Sequence, residues 1–131
     1  MKQIVVVAKN RTGLLADIFE ALAEHNVNIE TIDAEAIDSS GVLILTVDRY
    51  DDALVALNRI PNISAVTEDA IVIRLKDELG ALARIAKRFK NANISLRSVR
   101  ILQRDDQYSL VAISTERTDE ALQLVSDVIV A

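Results

Sequence analysis

The chain has 131 residues, half of them apolar, with a net charge of −5; it can bury one ordinary core or two small ones and is not a disordered chain. It has no cysteine, which excludes a disulfide framework and a thiolate metal site and fits a reducing compartment. The acidic balance argues against nucleic acid and no apolar run is long enough to cross a bilayer, so the expected setting is cytoplasmic.

Aromatic residues make up only 3%, so Ile, Val, Leu and Ala must build the core. The start MKQIVVVAKN reads as a first strand, not a signal peptide: Ile4 to Ala8 is a short apolar run rich in β-branched residues. Gly13 then opens a helix. Leu15, Ile18, Phe19 and Leu22 recur at i, i+3, i+4 and i+7 and predict one buried stripe, with Asp17, Glu20 and Glu24 off it. His25 and Asn26 end this helix. VNIETIDAEAI, Val27 to Ile37, reads as a second strand whose imperfect alternation predicts a bulge or bend. DSSG, Asp38 to Gly41, has turn chemistry, and VLILTV, Val42 to Val47, is a third strand. DDALVALNRI, Asp51 to Ile60, is a second helix with Asp51 as N-cap and Pro61 as its stop. ISAVTE, Ile63 to Glu68, is a fourth strand that closes a first domain, residues 1–68.

AIVIRL, Ala70 to Leu75, begins a second domain, residues 69–131, which repeats the first. At a spacing of 67, Lys9 meets Lys76, Gly13 meets Gly80, Leu15 meets Leu82, Ile18 meets Ile85 and Asn26 meets Asn93. At 68, Arg49 meets Arg117, Asp51 meets Asp119 and Ala53 meets Ala121. The extra residue is expected in the turn after the second strand, because a slip inside a strand would flip its side chains. Leu82, Ile85, Ala86 and Phe89 predict the second buried stripe, and a last helix is expected from Thr118 to Val128. Each copy thus reads β-α-β-β-α-β. The expected fold is α+β, two tandem ferredoxin-like units with antiparallel sheets and helices on one face. The second unit lacks most of its last strand, which is missing or reduced to VIVA. The open edge is expected to be covered by the other copy or by another chain.

NRTGLLADIFEALAEHNVNIETI, from Asn10, resembles the ACT domain, a small amino-acid-sensing module. The pattern is a polar residue, a short turn, Gly, an apolar residue, Leu and a helix, then an apolar-Asn-Ile strand start that Val27-Asn28-Ile29 supplies. KDELGALARIAKRFKNANISLRSV repeats it, with Ile94-Ser95-Leu96 at the same distance from Gly80. The resemblance covers nearly the whole chain. It implies domains that pair side by side or sheet to sheet, and a free amino acid bound where the first turn of one domain faces a neighbour. By position the implied ligand contacts are Asn10, Arg11, Thr12, Gly13, Leu14, Asn28 and Ile29, and in the second copy Asp77, Glu78, Leu79, Gly80, Ala81, Ser95 and Leu96. Asn10 stands where the family has Asp, Ser95 where it has Asn, and neither turn has Pro before its Gly. The implied partners are a free amino acid, a second copy in a homodimer or higher homo-oligomer, and a regulated enzyme. No cofactor, nucleic acid or membrane is implied.

Physical chemistry supports such a site. A helix N-terminus offers N–H groups and partial positive charge to a carboxylate, Gly permits close approach, and Asn or Asp accepts from an ammonium group. Plainer readings stand beside it. Gly13 and Gly80 could serve close helix–sheet packing, Asn28 could bond its own backbone, Asp77 could be only a cap, and Arg11 could be simply solvated. His25, the only histidine, reads as a helix-end residue. DRYDD and QRDDQ read as turns and caps, since they lack the spacing and glycine of an oxygen-ligand loop. No phosphate loop or nucleophile elbow is present. Three functions follow in order: an amino-acid-binding regulatory protein that is not an enzyme, a ligand-free interaction module, and a small ferredoxin-like enzyme, for which only scattered carboxylates and Arg are on offer.

Overall fold

The computed structural model describes residues 2–67 and 70–131; Glu68, the expected end of the fourth strand, lies outside them. The chain divides into two compact units, Met1–Glu68 and Asp69–Ala131. The first contains β1 Gln3–Lys9, α1 Leu14–Glu24, β2 Ile29–Ile37, β3 Ser40–Val47, α2 Tyr50–Asn58 and β4 Ile63–Val66. Its strands form one antiparallel sheet in the order β2-β3-β1-β4. Ile4, Val6 and Ala8 of β1 and Leu43, Leu45 and Val47 of β3 alternate onto one face, where they meet Leu14, Ile18 and Leu22 of α1 and Ala53, Ala56 and Leu57 of α2. The expected bend in β2 is a register shift between Ile29 and Thr31.

Two local expectations are corrected. The buried stripe of α1 is Leu14, Ile18 and Leu22, while Leu15 and Phe19 are exposed. In α3 of the second unit Ile85 and Phe89 are buried, and Leu82 and Ala86 are exposed. In α1 the buried flank meets β1 and β3, the two central strands, and Leu15 and Phe19 lie outside that cluster. Asp51 is not the N-cap of α2, which is Arg49; Asp51 and Asp52 lie in the first turn, where carboxylates favour the positive helix end. Both first helices end on Asn26 and Asn93 in the left-handed region. Val27 N–H donates to Leu22 O and Ile94 N–H to Phe89 O, so the repeated Asn is a helix stop.

The second unit contains β5 Ala70–Lys76, α3 Ala81–Asn91, β6 Leu96–Arg104, β7 Tyr108–Thr115 and α4 Thr118–Leu124. Its sheet order is β5-β7-β6, and Ile71, Ile73, Leu75, Val111 and Ile113 face Ile85, Phe89, Ala121 and Val125. The extra residue of this unit is not in the turn. Strands β6 and β7 keep the register of the first unit as far as Ile101 opposite Val111, then resume with Gln103 opposite Leu110. Leu102 is a bulge, and it is buried. A bulge absorbs one residue without flipping the strand on both sides of it.

Helix α4 ends at Leu124, four residues before the expected Val128, and the chain turns back along β5. Val72 N–H donates to Ala131 O at 2.7 Å, Val130 N–H to Val72 O at 2.7 Å, and Arg74 N–H to Val128 O at 2.8 Å. The VIVA segment is thus the reduced last strand. It corrects the expectation that another copy or chain covers this edge, because the unit's own residues satisfy β5 there. Arg88 clamps the approach: its guanidinium donates to both oxygens of Asp127 at 2.6 and 2.9 Å and to Leu124 O at 3.3 Å. That hydrogen bond holds the Asp127 carboxyl below the ordinary range and raises Arg88. A depressed carboxylate stabilises the fold above its unfolded pKa, and that contribution is lost as pH falls through the folded value. Asp127→Asn, or acidification below about pH 4, is therefore expected to speed hydrogen exchange at the Val72 and Arg74 amides. Unchanged exchange would show that the segment holds without the clamp.

Candidate functional site

Each unit carries the same loop between its first strand and first helix. Asn10 N–H donates to Ser39 O at 2.8 Å and Asp77 N–H to Gln107 O at 2.7 Å, so each loop is pinned to its unit's hairpin turn. Gly13 and Gly80 both have φ 83° at the helix N-cap, where no side chain caps the helix. A Cβ at Gly13 would meet only Arg11 Nη1, at 3.7 Å, and one at Gly80 only Arg84 Nη1, at 3.4 Å. The glycines are present for their backbone angle and not for helix–sheet packing. The glycine that does serve packing is Gly41, whose Cβ would stand 3.0 Å from Leu14 Cδ2.

An ion pair spans each loop and the following helix turn, with its polarity reversed. Arg11 pairs with Asp17 at 2.5 Å, and at the equivalent positions Glu78 pairs with Arg84 at 2.5 Å. Arg11 is thus more than a solvated turn residue. Asp77 is not a cap: its two carboxylate oxygens accept from Arg104 Nη2 at 3.0 and 3.1 Å. In the first unit the positions equivalent to Asp77 and Arg104 are Asn10 and Ala36, which cannot make that pair.

A cavity of about 460 Å³ opens beside the first loop. Asn10, Arg11, Gly13, Leu14, Leu15 and Ala16 line one wall, and Ala34, Glu35, Ala36, Gly41 and Leu43 the other. Its counterpart, about 330 Å³, is lined by Leu75 to Ala83 with Ile101, Arg104 and Ser109. Gly41 under Leu14 becomes Ser109 with Ala81, an exchange of volume across the same contact.

Of the residues expected from the sequence, Asn10, Arg11, Gly13 and Leu14 line the first cavity and Asp77 to Ala81 the second. Thr12 belongs to the loop, where its carbonyl accepts from Arg11 Nη1 at 3.3 Å. Asn28, Ile29, Ser95 and Leu96 are elsewhere. They begin β2 and β6 at the far end of an 11-residue helix, about 16 Å from the loops. Asn28 N–H donates to Asp48 Oδ1 at 2.8 Å, which makes it a strand-entry residue. Neither unit brings this second set to its own loop. The wall residues Ala34, Ala36, Gly41, Ile101 and Arg104 were not anticipated; only the pairing register of each hairpin places them opposite the loop. His25 is held by two contacts: Nδ1 lies 3.0 Å from Ala21 O and Nε2 3.2 Å from Arg59 Nη1. Among the described residues no cluster of His and carboxylates could hold a metal, and no helix is long and apolar enough to cross a membrane.

Residues 2–60 match the ACT domain family. A search of curated proteins gives no match. Among solved structures, protein BT0572 from Bacteroides thetaiotaomicron is 20% identical, with TM-score 0.48, over 98% of this chain and 89% of that one. The ligand-free regulatory subunit of aspartate kinase from Thermus thermophilus is 19% identical, with TM-score 0.47, over 96% and 90%. An ACT domain protein from Streptococcus pneumoniae is 20% identical, with TM-score 0.42, over 50% and 84%. The match lies within the first unit, which is similar to an ACT domain, and the second unit repeats its element order through the second helix.

Proposed function

We propose that this is a regulatory protein without catalysis of its own, which binds a free amino acid at the loop cavity of its first unit. It passes the signal on through assembly with a second copy or with a regulated enzyme. The observation that carries the reading is the cavity between the Asn10–Gly13 loop and the small-residue wall of Ala34, Ala36 and Gly41. At about 460 Å³ it is in the range of small-ligand pockets. A carboxylate fits the uncapped N-terminus of α1, an ammonium group fits the Asn10 carbonyl and Glu35, and an aliphatic side chain fits Leu15 and Leu43. The family match at residues 2–60 supports the same loop. The second cavity is smaller and its acid is already paired with Arg104, which favours the first unit as the binding one.

The test is thermal unfolding with each of the twenty amino acids at millimolar concentration. A ligand at a hundred times its dissociation constant adds roughly 2.7 kcal/mol, a clear shift in midpoint. One or two hits of related side-chain type, weakened by Arg11→Ala, support the reading. Silence from all twenty would leave an interaction module, the alternative favoured by the Asp77–Arg104 pair, which already occupies the acid of the second loop.

A further inference from the structure

The cavity of the second unit, about 330 Å³, carries hydrogen-bond donors that its own unit leaves unused. Ser109 lines it, is only 8% exposed, and its hydroxyl has no partner among the described residues. It shares the face of β7 that carries Val111 and Ile113, which is the helix side, and so points toward the entry of α3. A buried hydroxyl left unbonded is costly, and one that faces a cavity is placed for something that enters it.

Helix α3 begins at the same cavity, and no side chain caps it. Ala81 N–H donates to Glu78 O and Arg84 N–H to Gly80 O, but the N–H groups of Leu82 and Ala83 have no acceptor among the described residues. Arg104 donates to Asp77 through Nη2 alone, which leaves Nε and Nη1 without an acceptor there. Lys76 on the rim has no ion pair among the described residues. The two acids of the loop are engaged, Asp77 by Arg104 and Glu78 by Arg84. A zwitterion needs an acceptor for its ammonium group, and this cavity offers no unpaired carboxylate for one. The first cavity does not repeat the arrangement: Gly41 and Ala36 stand where Ser109 and Arg104 are, and neither has a side-chain donor.

We propose that the second cavity is an oxyanion site that takes the phosphate group of a small molecule, either free phosphate or a phosphomonoester. The Leu82 and Ala83 N–H groups, the Ser109 hydroxyl and the Nε and Nη1 hydrogens of Arg104 exceed the roughly four acceptor positions of a carboxylate. They suit the terminal oxygens of a phosphate, and the positive end of α3 favours its charge. Asp77 does not close the site. Its pair with Arg104 is partly solvated, with 60% of the Arg104 side chain exposed, and such a pair is weak enough to tilt aside for an anion.

The oxyanion site goes beyond the amino-acid reading of the first unit and does not depend on it. It is tested on the full chain by amide NMR spectra at constant ionic strength, with inorganic phosphate, glycerol phosphate and acetate as probes. Phosphate is expected to shift the Leu82 and Ala83 amides saturably at millimolar concentration and to leave Leu15 and Ala16, the equivalent amides of α1, in place. Arg104→Gln should weaken phosphate roughly tenfold and Ser109→Ala about threefold. Asp77→Asn, which releases the whole guanidinium, should tighten it about threefold. Circular dichroism checks that the variants fold, and the gain in Asp77→Asn is a result that damage to the fold does not produce. Tighter binding of glycerol phosphate supports the site with a phosphomonoester as its ligand, and tighter binding of inorganic phosphate supports it with the free ion. No saturable shift, equal shifts at the entries of α1 and α3, or acetate bound as tightly as phosphate would overturn the site. So would phosphate affinity indifferent to both Arg104→Gln and Asp77→Asn. Failure here leaves the amino-acid test untouched, because the two cavities report through different amides.

Discussion

Phe89→Ala is expected to destabilise the second unit by about 3–5 kcal/mol, enough to unfold much of it. Phe89 is 1% exposed and is the largest fully buried side chain among the described residues. It projects from α3 into a cluster otherwise made of Ile, Leu, Val and Ala, with no second aromatic ring to fill the space. A unit of roughly 60 residues buries only about 60% of the surface its unfolded chain exposes, less than a larger domain does, and has little stability in reserve. Hydrogen exchange under native conditions should show the amides of β5 and β7 losing protection. An unchanged urea midpoint would mean that the core collapses around the missing ring at little cost.

Gly13→Val is the second large effect, and its cause is the backbone. Gly13 has φ 83° and ψ 0°, the left-handed region, which costs an L-residue roughly 1–2 kcal/mol and a β-branched one more. Room is not the obstacle, since a Cβ there would meet only Arg11 Nη1 at 3.7 Å. The cost should therefore follow backbone preference: Gly13→Asn smallest, Gly13→Ala intermediate, Gly13→Val largest. The same ordering should hold at Gly80, whose φ is also 83°. Urea midpoints with unchanged slope would check it. Equal costs for Asn, Ala and Val would point to a contact instead of an angle.

Much of the fold was legible because its signals are local. The β-branched run at Ile4 to Ala8, the glycine before each first helix and the asparagine after it act through their own backbone neighbourhoods. The repeat spacing then supplied the second unit without a separate derivation, except for its last strand, which was missing or reduced to VIVA until the hydrogen bonds along β5 decided it. The rotation of α1 was not legible. Leu14 and Leu15 are both apolar, and a stripe through either satisfies helical periodicity. Half of the candidate site was visible for the same reason: Asn10 to Leu14 and Asp77 to Ala81 are contiguous with their glycines. The facing wall was not, because Ala34, Ala36 and Gly41 look like ordinary strand residues until the hairpin register sets them opposite the loop.

By itself the sequence determined the order of elements, the duplication and the glycine at each helix entry, since each is a property of residue type and near-neighbour spacing. The tertiary structure alone decided which helix flank faces the core, because that depends on which strands lie beneath it. It placed the extra residue at Leu102, because a bulge preserves pairing on both sides. It separated Asn28 from Gly13 by the length of a helix, and it gave Asp77 to Arg104 in one unit while leaving Asn10 beside an open cavity in the other. These outcomes rest on contacts between residues far apart in the chain, and no local rule of residue preference reaches that far.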